Sequence, residues 1–138
     1  MTTSEERSRI MRAVRSKDTA PELKVRRLLH SMGARFRLHR QDLPGKPDIV
    51  LPGRRKAIFV HGCFWHGHDC KRGSREPKTN APYWVEKIAR NRARDGINLP
   101  ALDEAGWSVL TVWECETRNE LALSEKLTAF LAQGRRRL

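Results

Sequence analysis

The sequence predicts an α/β domain in which a mixed sheet is flanked by helices. Segments with helical and strand-like patterns follow one another as helix, strand, two hairpin strands, helix, strand and helix. That order favours a sheet covered by helices over a bundle or a sandwich. The chain has 138 residues, enough for one domain with a real core. It contains no internal repeat, linker or low-complexity segment, so residues 1–138 are predicted to form a single domain.

The two ends of the chain are strongly basic. Residues 4–16 can form a short helix with only a thin apolar stripe. This segment is either a surface helix or part of an N-terminal arm, residues 1–17, that orders on its ligand, and the pattern does not separate the two. Residues 134–138 form a basic tail.

A well-marked helix follows the N-terminal arm. Thr19 suits the N-cap, Pro21 suits the first turn, and Gly33 is expected to end the helix. Glu22 stands at the capping-box spacing, which explains it without any function and is the favoured interpretation from spacing alone. A helix-borne glutamate facing a strand-borne aspartate is, however, a recurrent metal-binding arrangement in nucleases. Residues 35–38 alternate as a short strand.

A hairpin is predicted in the middle of the chain. Strands at 48–51 and 56–60 are rich in β-branched and apolar residues and flank a Pro-Gly turn at 52–55. If the turn pairs Leu51 with Lys56, Asp48 lies opposite Phe59. Local geometry thereby brings the Asp48 carboxylate close to the segment that follows the second strand.

The C-terminal half is predicted to contain two helices and a strand. Residues 83–105 are expected to form a helix that Pro100 breaks or kinks. A strand at 107–113 follows Gly106, and residues 119–133 form an amphipathic final helix.

The segment 61–70 carries the densest chemistry of the chain. It packs three histidines, two cysteines, one aspartate and two aromatic residues into ten positions. Thiolates and imidazole suit a closed tetrahedral Zn²⁺ site. A plausible Cys₃His set for structural zinc comprises Cys63, His68, Cys70 and Cys115. The alternative is three buried, inert cysteines, since cysteine is often buried for packing alone.

A second group of residues beside the zinc set suggests phosphodiester hydrolysis. That reaction needs a carboxylate to hold a divalent cation and an acid or base near the reacting oxygens. Asp48 supplies the first, and His66 or His61 supplies the second. The alternative for each histidine is an ordinary, hydrogen-bonded polar side chain.

Aromatic residues near the cluster allow two interpretations. Phe64 and Trp65 lie within the ligand loop, and Trp84 begins a helix after a basic loop. Exposed aromatic side chains on a DNA-binding surface can enter the stack between base pairs. The alternative, equally compatible with the sequence, is that they cover the zinc site as local core.

The charge of the chain points to a polyanionic partner. Its 28 basic and 16 acidic residues leave a net charge of +12, which favours nucleic acid over a merely solvated basic surface. No run is apolar enough for a membrane helix, and the N-terminus lacks the apolar region of a secretory signal, so a cytoplasmic location is expected. The three cysteines cannot all pair within the chain, because their number is odd. In the reducing cytoplasm, metal binding is favoured over disulfides.

Five short motifs resemble the very short patch repair (Vsr) endonucleases. They are LPGKPD at 43–48, FVHGCFWH at 59–66, WEC at 113–115, MRA at 11–13 and DTAPE at 18–22. The second is highly specific, and the resemblance extends over about residues 7 to 116, nearly the whole chain. The resemblance implies a variant of the PD-(D/E)xK restriction-endonuclease core, whose αβββαβ order agrees with the predicted elements. It also implies an enzyme that nicks the T-bearing strand at T:G mismatches left by deamination of 5-methylcytosine.

The resemblance assigns roles to residues of a Mg²⁺ site. Asp48 would bind Mg²⁺ together with the backbone carbonyl of Val60. His66 would be the general base, and Glu22 and His61 would support water or phosphate at the metal. Val60 stands where a threonine is common in the family, a change that a main-chain ligand tolerates.

The same resemblance makes the four zinc ligands named above a structural site. It also implies a set of DNA contacts, in which three aromatic side chains wedge in from the major-groove side and the N-terminal helix approaches from the minor groove. These contacts are Phe64, Trp65, Trp84, Met11 and Arg12. Gly67 and Asp69 replace histidines of a fuller histidine run, which supports His68 as the zinc ligand. The loop at 71–80 and the chain after Arg118 match the family poorly.

The family further suggests a bacterial protein that acts as a monomer on double-stranded DNA, alongside mismatch-repair proteins and a cytosine-5 methyltransferase. Two rival functions remain from the residues themselves. A zinc-stabilised DNA-binding module without catalysis needs the zinc set and the charge, but has no use for Asp48 or His66. A zinc-dependent hydrolase needs zinc alone.

Overall fold

One mixed sheet of four strands, in the order β1-β2-β3-β4, organises the computed structural model, which describes residues 19–63 and 81–133. The strands are β1 (Arg37–Leu38), β2 (Ile49–Leu51), β3 (Lys56–His61) and β4 (Ser108–Trp113). β1, β2 and β3 pair antiparallel, whereas β3 and β4 pair parallel. The predicted mixed sheet is therefore confirmed, although β1 is shorter than the predicted 35–38 and β4 begins after Trp107.

The helices of the described residues are α1 (Ala20–Ser31), α2 (Ala81–Glu104) and α3 (Glu120–Ala132). Short 3₁₀ turns cover Pro52–Arg54 and Glu114–Arg118. The order α1-β1-β2-β3-α2-β4-α3 confirms the predicted succession of elements. α2 is the crossover that a parallel β3–β4 pair requires. Predictions that concern the N-terminal arm, the loop at 64–80 and the basic tail lie outside the described residues.

Local sequence rules account for both ends of α1. The Thr19 hydroxyl accepts a hydrogen bond from the Glu22 N–H at 3.4 Å, as expected of an N-cap. At the other end Gly33 has a φ of 76°, a left-handed conformation that costs glycine little. Its N–H donates to the His30 carbonyl at 3.0 Å, and the Ala34 N–H donates to the Leu29 carbonyl at 3.0 Å. These two bonds form a Schellman motif and fix where the chain leaves the helix.

α1 and α3 bury one face of the sheet. The core residues on that face are fully or almost fully buried and include Val25, Leu29, Ile49, Ile58, Val112, Leu123 and Leu127. Side chains alternate along a strand, so Phe59 and His61 point to the opposite face from Ile58. α2 lies against that opposite face, where its Asp95 approaches His61. The end of β3 is thus enclosed between two layers of helix.

Of the predicted break or kink at Pro100, the break is wrong and the kink stays a prediction. α2 continues through Pro100 to Glu104, although the proline cannot donate the usual hydrogen bond to a preceding carbonyl. Leu102 is fully buried, so packing holds the last turn of the helix in place. Tertiary contacts therefore outweigh the local preference of the sequence.

Lys56, at the start of β3, is buried with 1% exposure and plays a part that the strand pattern did not predict. Its ammonium group donates to the carbonyls of Phe130, Leu131 (3.2 Å) and Gln133 (2.7 Å). The last carbonyls of a helix have no partner within the helix. Lys56 satisfies those of α3 and ties its C-terminal end to the sheet.

Gly45 is expected to resist substitution, because its loop packs tightly between the sheet and α2. Its φ is 76°, and a Cβ placed there would lie 3.0 Å from a ring carbon of Phe59 and 3.0 Å from Cβ of Asn98. We expect Gly45→Ala to lower the free energy of unfolding by about 2 kcal/mol through backbone strain and crowding. Chemical denaturation followed by circular dichroism measures this change.

Gly53→Ala is the matched control, since a Cβ at Gly53 meets nothing within 4 Å. We expect it to change the free energy of unfolding by less than about 0.5 kcal/mol. Equal losses in the two variants would contradict the packing described for Gly45.

Candidate active site

Three side chains meet where β2 begins. Glu22 comes from the first turn of α1, His39 follows β1, and Asp48 precedes β2. One potential ligand atom of each residue lies within 4.8 Å of those of the other two. Two carboxylates and an imidazole at this spacing can hold a divalent cation or position a water molecule.

Glu22 is almost fully buried, with 2% exposure. Its Oε2 accepts a hydrogen bond from Nη2 of Arg26 and lies 3.3 Å from Nε2 of His39. The carboxylate of Glu22 is thus directed toward Arg26 and His39. The N-cap of the helix is made by the Thr19 hydroxyl. The Glu22 carboxylate therefore has partners beyond the capping role that its spacing favours, and its function stays a prediction. Spacing along one helix could not show which way the carboxylate turns.

Asp48 lies where the predicted hairpin places it. Leu51 pairs with Lys56, and continuing that register puts Asp48 opposite Phe59. Its Oδ2 accepts a hydrogen bond from the Val60 N–H at 2.8 Å, which anchors the carboxylate to β3. The neighbouring strand thereby brings the backbone of Val60 beside the candidate site.

Burial raises the pKa of Asp48 from 3.8 to about 6. The hydrogen bond from Val60 lowers the pKa, the negative charge of Glu22 raises it, and the nearby His39 and Arg26 lower it. Desolvation disfavours the charged carboxylate more than these partners favour it. A bound divalent cation would reverse that balance, so the carboxylate is suited to bind one.

His39 is the residue of this group that the sequence analysis missed. Its backbone has a φ of 50°, and its N–H donates to the Asp48 carbonyl at 2.9 Å. The pairing of Leu38 with Ile49 sets this position, across a connection that runs from residue 39 to residue 48. No short-range pattern predicts such a pairing. A predicted β1–β2 register would have found it.

A second group lies at the end of β3. His61 has 5% exposure, and its ring packs between Phe59, with centroids 5.4 Å apart, and Trp113, at 5.3 Å. Nδ1 of His61 is 4.0 Å from Oδ2 of Asp95 on α2. Asp95 was also missed, because α2 brings it to the sheet from a distant part of the sequence. The two rings confine the imidazole, and the Asp95 carboxylate lies near its Nδ1.

Two of the four predicted zinc ligands are neighbours. The Cys115 N–H donates to Sγ of Cys63 at 3.4 Å, and no disulfide joins these two residues. Cys63 is buried and Cys115 is half-buried. The other two ligands, His68 and Cys70, lie outside the described residues, as do His66, Phe64 and Trp65. The zinc site therefore stays a prediction.

Comparison with known proteins identifies the family. The family model described as DNA mismatch endonuclease Vsr matches residues 1–72. A type II nicking enzyme, V.XorIIP of Xanthomonas oryzae pv. oryzae, is 55% identical over 92% of this chain and 93% of its own. The chain belongs to the Vsr family of DNA endonucleases. The resemblance seen in the sequence motifs is thus confirmed.

Other Vsr relatives align over comparable lengths. The DNA mismatch endonuclease Vsr of Escherichia coli K12 is 45% identical over 88% of this chain and 75% of its own. The type II nicking enzyme V.NmeAIP of Neisseria meningitidis is 41% identical over 95% of this chain and 93% of its own. Membership of this family supports a hydrolase acting on DNA and disfavours the rival binding module without catalysis.

The start of α2 carries two aromatic rings and a lysine close together. Tyr83 is 50% exposed and packs edge-on against the half-buried Trp84, with ring centroids 4.7 Å apart. The Lys87 ammonium lies 5.8 Å from the Tyr83 ring centroid and 6.0 Å from that of Trp84. A cation next to one exposed and one half-buried aromatic ring is compatible with contact to phosphates and bases. None of the helices within residues 19–63 and 81–133 is long and apolar enough to cross a membrane.

The raised pKa of Asp48 predicts a pH dependence for this Vsr-family protein. Without added divalent cation, the folded protein holds the Asp48 proton more tightly than the unfolded chain, whose ordinary pKa is 3.8. The resulting stabilisation is complete below that value and is lost as the pH rises through about 6. We expect this group alone to lower the free energy of unfolding by about 1 kcal/mol between about pH 5 and about pH 7.5.

Other groups also titrate in this range, so the measurement is the difference between wild type and Asp48→Asn. Urea denaturation at several pH values, with zinc present and Mg²⁺ omitted, gives both curves. The variant should lack the component that falls through pH 6. Parallel curves would show that Asp48 ionises as it does in water.

Proposed function

We propose that this protein is a Mg²⁺-dependent endonuclease that nicks the T-bearing strand at T:G mismatches arising from deamination of 5-methylcytosine, in very short patch repair. The observation that carries the proposal is the group formed by the buried Glu22 and the half-buried His39 and Asp48 in a chain of the Vsr family. The names of the relatives support it: one is a mismatch endonuclease and others are nicking enzymes.

The residues present fit a hard divalent cation. Carboxylate oxygens of Glu22 and Asp48 are the ligands that Mg²⁺ accepts, and the backbone of Val60 is close enough to Asp48 to add a carbonyl oxygen. When bound, Mg²⁺ would neutralise charge on the phosphate and make a coordinated water more acidic. The chain itself supplies the remaining chemistry.

The histidines are proposed to move and hold protons. His66 acts as the general base that takes a proton from the attacking water, as the family resemblance implies. His61, held between two aromatic rings and next to Asp95, presents its imidazole to the phosphate in one orientation. Orientation fixed in advance removes a cost that a mobile side chain would incur at the moment of reaction.

Structural zinc is proposed to brace the loop that carries the general base. Cys63 and Cys115 lie together at the ends of β3 and β4, and His68 with Cys70 would complete a tetrahedral Cys₃His site. Such a site ties residues 64–70 to the sheet and does no chemistry itself.

Mismatch recognition is proposed to come from aromatic side chains. Phe64, Trp65 and Trp84 would enter the base stack next to the T:G pair, while Met11 and Arg12 approach from the minor groove. A mismatched step costs less to open than a matched one, so insertion selects it. Basic side chains on phosphates would supply most of the affinity, which should fall steeply with salt.

The proposal predicts one cut, in one strand of one substrate. Duplexes of identical sequence carrying T:G, C:G or T:A at one position, labelled on either strand, are incubated with the protein and Mg²⁺. We expect nicking of the T strand of the T:G duplex, and matched duplexes cut slower by about a hundredfold or more. Equal cutting of matched and mismatched duplexes would refute the specificity.

The same assay separates the rival functions. Binding without cleavage under any metal condition would favour a zinc-stabilised binding module. Cleavage by zinc-loaded protein without added Mg²⁺ would favour a zinc-dependent hydrolase.

A further inference from the structure

We propose that His39 is a third ligand of the cation site, and that its imidazole makes this site favour first-row transition metals such as Mn²⁺ over Mg²⁺. This inference rests on the proposed function, because it takes Glu22 and Asp48 as the other ligands. It goes further by adding a nitrogen ligand and a metal preference.

The geometry places the imidazole at the point where the carboxylates converge. Nε2 of His39 is 3.3 Å from Oε2 of Glu22, and a ligand atom of each residue lies within 4.8 Å of the others. The His39 side chain is 18% exposed, so the imidazole is held without being sealed away from solvent. A ring in this position needs no large movement to ligate a cation shared with Glu22 and Asp48.

The backbone holds His39 in this position. Its φ of 50° is unusual for a residue other than glycine. Its N–H donates to the carbonyl of Asp48 at 2.9 Å, so two of the three proposed ligands are joined through the main chain. A left-handed residue at a candidate ligand position is the kind of local strain that folds retain at functional sites.

Arg26 lies against both the imidazole of His39 and the carboxylate of Glu22. Nη2 of Arg26 is 3.1 Å from Nε2 of His39 and also donates to Oε2 of Glu22. A guanidinium has only donors, so this contact is a hydrogen bond in the tautomer whose Nε2 carries the lone pair. The imidazole and the Glu22 carboxylate therefore already face one positive charge together. A divalent cation bound here would take over the role that Arg26 plays toward both atoms.

The chemical preference follows from the ligand type. Mg²⁺ prefers oxygen ligands and keeps much of its water, whereas first-row transition metals accept imidazole readily. A site made of two carboxylates alone would bind Mg²⁺ and Mn²⁺ with similar affinities. Adding a nitrogen should favour Mn²⁺.

Pulsed electron paramagnetic resonance of Mn²⁺ bound to the full-length, zinc-loaded protein without DNA tests this assignment, because it detects nitrogen coordinated to the metal. We expect nitrogen modulation in the wild type and its loss in His39→Gln. His30→Gln is the matched control, since His30 is an exposed residue at the end of α1, and should keep the signal. His39→Asp, which retains a ligand but removes the nitrogen, should bind Mn²⁺ without modulation.

Calorimetric titration supplies a second readout. We expect His39→Gln to weaken Mn²⁺ binding by about tenfold and Mg²⁺ binding by less than about threefold. Three results would each overturn the inference: no nitrogen signal in the wild type, a signal that persists in His39→Gln or His39→Asp, or equal weakening of both metals. If His39→Gln does not fold, the Asp variant and the wild type still decide the matter.

Failure of the inference can be told apart from failure of the proposed function. If the wild type nicks the T:G duplex but shows no nitrogen coupling, only the assignment of His39 as a ligand fails. If the wild type shows the coupling but cuts no duplex, the metal site is supported and the proposed reaction is refuted.

Discussion

Asp48→Asn is expected to reduce nicking of a T:G duplex by about a thousandfold or more. The substitution removes a negative charge at the proposed cation site, where the half-buried carboxylate lies beside Glu22 and His39. Asparagine is nearly the same size and its side-chain oxygen can still accept the hydrogen bond from the Val60 N–H. The fold should therefore survive while the reaction fails. Single-turnover rates on the labelled duplex measure the loss, and a gel-shift titration shows that binding remains.

Asp42→Asn is the matched control for this experiment. Asp42 belongs to the same connection between β1 and β2, but it is exposed and its carboxylate pairs with Arg40 at 2.8 Å. We expect it to nick within about twofold of the wild type, because surface ion pairs contribute little. An Asp48→Asn protein that cuts as fast as Asp42→Asn would remove Asp48 from the reaction and leave the hydrolytic centre elsewhere.

Cys115→Ala is expected to have the largest effect on stability. If zinc is held by Cys63, His68, Cys70 and Cys115, losing one thiolate should release the metal and lower the free energy of unfolding by more than about 3 kcal/mol. Metal analysis should give about one zinc per chain in the wild type and much less in the variant. Thermal unfolding should show the corresponding drop, and treatment of the wild type with a strong chelator should reproduce it.

The alternative, inert cysteines, predicts a different result for the same variant. Cys115 is only half-buried, so removing its sulfur without a metal should cost less than about 1 kcal/mol. Glu114→Gln serves as the control, because it alters the neighbouring residue without touching a proposed ligand. Equal zinc content and equal unfolding temperature in Cys115→Ala and Glu114→Gln would rule out a zinc site that includes Cys115.

The parts of the fold that depend on short stretches of sequence were predictable. Thr19 and Gly33 bound α1 because capping and left-handed backbone are decided by a few adjacent residues. The turn at Pro52–Arg54 set the pairing of Leu51 with Lys56, and that register carried Asp48 to its place opposite β3. One candidate ligand was thus located before any tertiary structure was considered.

Other features of the site depend on contacts between distant segments. His39 reaches Glu22 only because β1 pairs with β2 and α1 packs across the sheet. Asp95 meets His61 because the long helix α2 returns along the Phe59 face, and its continuation past Pro100 depends on burial of Leu102. Propensity rules cannot see these contacts, since packing overrides local preference.

The amino-acid sequence on its own determined the order of elements, the ends of α1, the hairpin register and the family, because each follows from neighbouring residues or from contiguous motifs. Only the tertiary structure decided that Glu22 turns its carboxylate inward and that His39 lies beside the two carboxylates. It alone also decided that Lys56 donates to the carbonyls at the C-terminal end of α3. The direction of a buried charged side chain is set by whichever partner compensates for its lost hydration. Glu22 has one partner nearby in sequence, Arg26, and one remote partner, His39, whereas the partners of Lys56 lie at the remote end of α3.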